Sequence, residues 1–240
     1  MALIGFELRR IVGRRGSFFG VMAVCFGFAL LAAFLVPSGE QNAGVWITAI
    51  GTPLVFGGAV VAALEGSYDQ AQGTMRYLVL TGVPRWRLVV NRVPALLLAL
   101  LLIALPAMVV GAVSMVGDDQ PTNEIVIGLA AGLTYGAIWG IVAMAVGTLL
   151  RSNGAGIAVA LVLYLLSTAI TAFVEAQVSE TVAEYLLPNV AAVVAAFGYT
   201  GDDDFTSTNA IPYATAVVVL LVWLVAIVAL AIARVQRDEY

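Results

Sequence analysis

Histidine and lysine are missing from this 240-residue chain, and cysteine occurs once. Without histidine there is no Ser/His or Cys/His couple for nucleophilic catalysis and no zinc site built from the usual nitrogen and sulfur ligands. Without lysine there is no G-x-x-x-x-G-K-[ST] phosphate loop, so any use of ATP has to run through a partner. Cys25 stands alone, which excludes an intrachain disulfide. Charge is scarce as well: 11% of the residues are charged, against about 25% in an average soluble domain. The sequence therefore leads us to expect no catalytic residue, no cofactor-binding residue and no resident metal in this chain.

What fills the chain instead is apolar, 62% of it. A hydrocarbon core about 30 Å thick takes roughly 20 apolar residues per helix, and six runs approach or exceed that length: 18–36, 45–64, 93–116, 125–150, 157–173 and 211–233. The fold class predicted is an all-α membrane protein with six transmembrane helices. The first run reads as the first span rather than a cleavable signal, because no small-residue cleavage pattern follows it. The whole of 1–240 reads as a single transmembrane domain.

All eleven basic residues are arginine, and they fall only in alternate intervals: 9–15, 76–92, 151 and 234–237. The loops that carry them hold five acids, whereas the intervening loops hold ten acids and no base. By the positive-inside rule both termini are expected in the cytoplasm, with the chain multi-pass in the plasma membrane.

Ahead of the first span, 1–17 has helical periodicity, with Ile4, Leu8, Ile11 and Val12 on one stripe and Glu7, Arg10 and Arg14 on another. This predicts an amphipathic interfacial helix whose arginines reach toward anionic headgroups, with membrane lipid as a partner. In the fourth span Gly128, Gly132, Gly136 and Gly140 recur every fourth residue, a groove suited to close helix packing. The interval 174–210 is too apolar for an ordinary loop and too short to cross. Pro188 divides it, and a broken external helical pair is expected between the fifth and sixth spans. Its tip, Asp202 to Asp204, reads as a solvated acidic turn; cation binding is the alternative, though the spaced ligands of a calcium loop are missing.

The spans carry no charged residue in their central stretches, which argues against an ion pump. Thr48, Thr52, Tyr164, Thr168 and Thr171 are the hydroxyls that would line a mildly polar conduit for a lipid-like or amphipathic substrate. Their alternative is to bond their own helix backbones.

The longest arginine-bearing interval, 65–92, lies between the second and third spans. Glu65 marks the end of the second span, a polar helix-compatible stretch follows to Thr81, and Pro84 suits the start of the next helix. Tyr77, Leu78 and Leu80 give the stretch an apolar surface among Arg76, Arg85, Arg87 and Arg92, which fits a protein partner. Glu65, at the unfavourable end of the helix dipole, calls for a cation, and Arg76, Arg85 and Arg92 are the expected candidates.

Glu65, the GTMRYLVL run of 73–80, the VPR run of 83–85 and Arg92 resemble the cytoplasmic segment of ABC type-2 transporter permeases. The YLLPNV run of 185–190 resembles the proline break of the same family. Arg92 stands where the family commonly has lysine, which alters hydrogen-bonding geometry while keeping charge. The resemblance implies that 65–92 holds a coupling segment, with Glu65, Gly73, Thr74, Arg76, Tyr77, Leu78, Arg85 and Arg92 coupling the permease to an ABC ATP-binding subunit present in two copies. It also implies pairing with a second permease copy or a sibling, ATP and Mg bound by the partner, and no nucleic-acid partner. A non-transporting membrane anchor that recruits an ATPase is the competing expectation.

Overall fold

The computed structural model describes residues 2–37, 40–72, 84–118, 120–197 and 211–237, without the side chains of Ala2, Leu3 and Arg85. Nine helices and no strand occur among the described residues: α1 (Ala2–Gly13), α2 (Arg15–Leu35), α3 (Ala43–Ala71), α4 (Arg85–Gly117), α5 (Thr122–Leu150), α6 (Asn153–Gln177), α7 (Glu180–Glu184), α8 (Leu187–Ala195) and α9 (Tyr213–Gln236). Six of them, α2 to α6 and α9, are long and apolar enough to span a bilayer. The chain is a multi-pass, all-α membrane protein.

Local chemistry sets the helix boundaries. The Asn42 side chain accepts from the backbone N–H of Val45 and starts α3, and Ser152 does the same for Ala155 at the start of α6. Gln41 donates to the carbonyls of Ala33 and Val36, closing the end of α2. Arg151, at φ 56°, takes the left-handed conformation that ends α5 before α6 begins. Pro188 opens α8 rather than merely ending α7, as suits a residue with no N–H to donate. The expected broken helical pair is thus α7 and α8, and α8 packs Val190, Ala191 and Val193 against α5 and α9.

Helix α3 is the centre of the bundle. Two thirds of its most apolar stretch, 67%, is buried, against 17% for α6 and α9, whose remaining apolar surface faces outward as a lipid solvent requires. Its principal partner is α5, and the glycine stripe is the reason. A Cβ at Gly128 would lie 3.1 Å from the Ala43 Cα, at Gly132 2.9 Å from the Ile50 Cβ, and at Gly136 2.6 Å from the Leu54 Cβ. Gly140 faces Leu100 of α4 at 2.8 Å. The groove read from the sequence is therefore filled by the chain's own α3 and α4. It continues past the predicted stripe: Gly66 packs against the Met144 carbonyl and Gly147 against the Ala63 carbonyl, backbone on backbone. Such contacts gain dispersion energy where no hydrophobic force drives helices together.

One boundary differs from the sequence expectation. Helix α3 does not end at Glu65 but continues unbroken to Ala71, with Glu65, Gly66, Ser67 and Asp69 all buried. The polar stretch that reads as a separate surface helix is, in its first turns, the continuation of a central span. Residues 73–83 lie outside the described residues.

Candidate functional site

The polar end of α3 is enclosed on three sides. Glu65 and Asp69 are one helical turn apart and so share a face. On α1, Glu7 and Arg10 are three residues apart, and Arg14 follows one turn later at the head of α2, so all three also share a face. The structure lays one face against the other. Arg10 donates through Nη1 to both Asp69 oxygens, at 3.1 and 2.9 Å, and through Nη2 to Glu65 Oε1. Glu7 Oε2 lies 2.7 Å from the same Nη2. Arg14 stands 3.4 Å from Glu65 Oε2, its guanidinium 4.0 Å above the Tyr68 ring, a cation–π contact.

The third side is α4. Arg92, 1% exposed, donates to Asp69 Oδ2 and to the Gly66 carbonyl. Three arginines meet three carboxylates, so the formal charge of the knot is balanced. A second set of contacts ties the α5–α6 turn to the same end of α3. Ser67 donates to Ala63 O at 2.8 Å and lies 2.7 Å from Asn153 Oδ1, and Thr148 donates to Gly66 O at 3.2 Å. The result is a polar end cap joining α1, α3, α4, α5 and α6 at the base of the 73–83 interval.

The electrostatics follow from this enclosure. Burial alone would lower the pKa of Arg10, but Glu65, Asp69 and Glu7 raise it above its ordinary value, so it stays charged. Arg14 is drawn down by burial, only partly offset by Glu65. Burial pushes Glu7 up from 4.5 to about 7, against the pull of Arg10 and Arg92 and with the help of Glu65 and Asp69. The fold thus favours protonated Glu7. That contribution is complete below pH 4.5 and is lost as pH rises through about 7. Thermal stability is expected to decline from pH 4.5 to 8, and Glu7→Gln should flatten the slope and be the more stable protein at pH 8. Melting curves of the two proteins across that range check this.

Several sequence expectations change here. Glu65 finds Arg10 and Arg14, more than 50 residues upstream, whereas Arg92 goes to Asp69. Arg76 and the Arg85 side chain, the other two candidates, lie outside what is described, as do Gly73, Thr74, Tyr77 and Leu78 and the acidic tip at 202–204. Glu7 and Arg10 do not reach toward headgroups: they point into the protein, leaving Phe6 and Arg9 on the exposed face of α1. Glu7, Arg10, Arg14 and Asp69 were not picked out as site residues. Their signal was the matching of two charged helical stripes, i, i+3, i+7 on one segment and i, i+4 on the other.

The hydroxyls proposed for a conduit sit on α3 and α6. Thr48 donates to Gly44 O at 3.1 Å and Thr171 to Ser167 O at 2.9 Å, each within its own helix. Thr52 is half-buried, and Thr168 is on the outer face of α6. Tyr164 packs edge-on against Phe56 and Trp139, ring centres 5.3 and 5.0 Å apart, and is hydrogen-bonded to Tyr135.

No protein-family model matches the chain, and no curated protein matches it.

Proposed function

We propose that this chain is the membrane-spanning permease subunit of an ABC transporter, exporting a lipid-like or amphipathic substrate while a separate ATP-binding subunit docks on the 65–92 interval in the cytoplasm. The observation that carries the reading is the ion-pair knot. It binds both roots of that interval, Asp69 on α3 and Arg92 on α4, to each other and to α1. A segment clamped at both ends to three helices transmits a push instead of absorbing it. Two ATP-binding subunits closing on ATP would drive two such segments together and tilt the paired bundles, with energy entering because docking differs between the two states. The absence of lysine, and with it of a phosphate loop, supports placing hydrolysis in the partner.

A second reading, a non-transporting anchor that recruits an ATPase, is favoured by Thr48 and Thr171 bonding their own helices instead of lining a path. Both readings predict that Leu78→Asp abolishes co-purification with the ATP-binding subunit while leaving folded yield unchanged. Losing an anchor of 2 kcal/mol or more weakens docking by about 30-fold. ATP-dependent movement of a labelled lipid across proteoliposomes containing both subunits separates the readings. Intact docking in Leu78→Asp would overturn both.

A further inference from the structure

Away from the knot, a groove of about 430 Å³ runs between α4, α5 and α9. This is within the range of small-ligand sites, roughly 300–1,000 Å³. It is lined by aliphatic side chains, among them Val90 and Pro94 of α4, Ile141 of α5, and Leu224, Val228 and Ile232 of α9. The three α9 residues recur every fourth position, so they form one stripe about 12 Å long at 1.5 Å per residue. A narrow apolar slot of that length, open on the lipid-facing side of a span, matches an extended acyl chain.

Its mouth is charged. Leu88 and Val89 at the start of α4 pack with Val235 at the end of α9, locking those two helix ends together. Arg87 lies in the first turn of α4, one turn before Val90, whereas Arg234, two residues past Ile232, falls on the far side of α9 from the groove. Arg87 is exposed, with its guanidinium 5.3 Å from the centre of the Trp86 ring. Trp86 is 43% exposed, as befits an aromatic residue at headgroup level. A cation beside an interfacial tryptophan at the end of an aliphatic slot complements a phosphate at the end of a hydrocarbon chain.

We propose that this groove is a binding site for one anionic phospholipid of the arginine-bearing leaflet, its acyl chain between α4, α5 and α9 and its headgroup at Arg87. Arg87 belongs to the same 65–92 interval that the docking reading uses, and the lipid test reads the chain alone, without an ATP-binding subunit, so the two readings fail separately.

The test uses the full chain, delipidated in detergent, then supplied with equimolar phosphatidylglycerol and phosphatidylcholine and examined by native mass spectrometry. Retained phosphatidylglycerol is expected to exceed phosphatidylcholine by about fivefold for each arginine engaged, equivalent to about 1 kcal/mol. The Arg87→Gln variant should lose the preference while still holding lipid, and Ala229→Trp, which fills the groove, should lose both lipids. Unchanged elution volume and helicity confirm that the variants are folded. Equal retention of the two lipids by the parent protein would overturn the proposal, as would a preference that survives Arg87→Gln. Displacement of the lipid by millimolar inorganic phosphate would identify a bare anion site, and a change in oligomeric mass with Ala229→Trp at unchanged lipid count would identify a contact between copies. Either outcome also overturns it.

Discussion

Arg10→Ala is expected to unfold most of the protein. Among the described residues its guanidinium is the one group that touches all three carboxylates of the knot, Glu7, Glu65 and Asp69. A buried ion pair contributes little over a well-packed apolar replacement, but deleting one partner strands the others, at about 3–5 kcal/mol. Here Glu7 loses the arginine it faces, and Glu65 and Asp69 are left to Arg14 and Arg92, which only partly satisfy them. For a protein of ordinary marginal stability that loss removes much of the total. Fluorescence-detected size exclusion should show a collapse of the monodisperse peak, and the melting temperature of any survivor should drop sharply. Arg9→Ala, one residue away on the exposed face, should stay within about 0.5 kcal/mol of the parent. Adding Glu65→Gln to Arg10→Ala should recover part of the loss, because the residues act as one network and their effects do not add. Equal behaviour of Arg9→Ala and Arg10→Ala would refute the knot.

Gly66→Ala is expected to be nearly as damaging despite adding a single methyl group. The new Cβ would overlap the Met144 carbonyl, a backbone atom inside α5 that cannot move aside as a side-chain end can. Overpacking of this kind costs about 1–3 kcal/mol and sometimes more. Backbone-on-backbone contact sets the expectation at the upper limit, and Gly147→Ala, against the Ala63 carbonyl, should match it. Gly20→Ala in α2 is the control, since nothing lies within 4 Å of its Cβ position. Alanine there should be neutral or stabilising by about 0.5–1 kcal/mol. Thermal melts of the three variants rank them directly.

The spans were legible because a bilayer imposes a length and a composition that hydropathy reads without knowledge of packing. The same reasoning found the glycine stripe of α5 but not its partner: a stripe of small residues declares close approach, and Ala43, Ile50 and Leu54 of α3 emerge as its occupants only in the folded chain. The error at Glu65 has a different cause. Charge at a helix end normally announces the membrane surface, so the polar residues from Glu65 onward were read as leaving the bundle. They stay inside it because Arg10, Arg14 and Arg92 supply compensation that local sequence cannot show. For the same reason α1 was oriented by its charges, toward headgroups, when the matching charges lay within the protein.

The knot has a bearing on the order in which the protein is made. Arg10 leaves the ribosome some 80 residues before Arg92. At about 5–20 residues per second the interval lasts roughly 4–16 s. Within it Glu65 and Asp69 arrive before the last of their cations, so the knot stays one arginine short. The third span supplies that cation, so the knot closes only once α4 has been made.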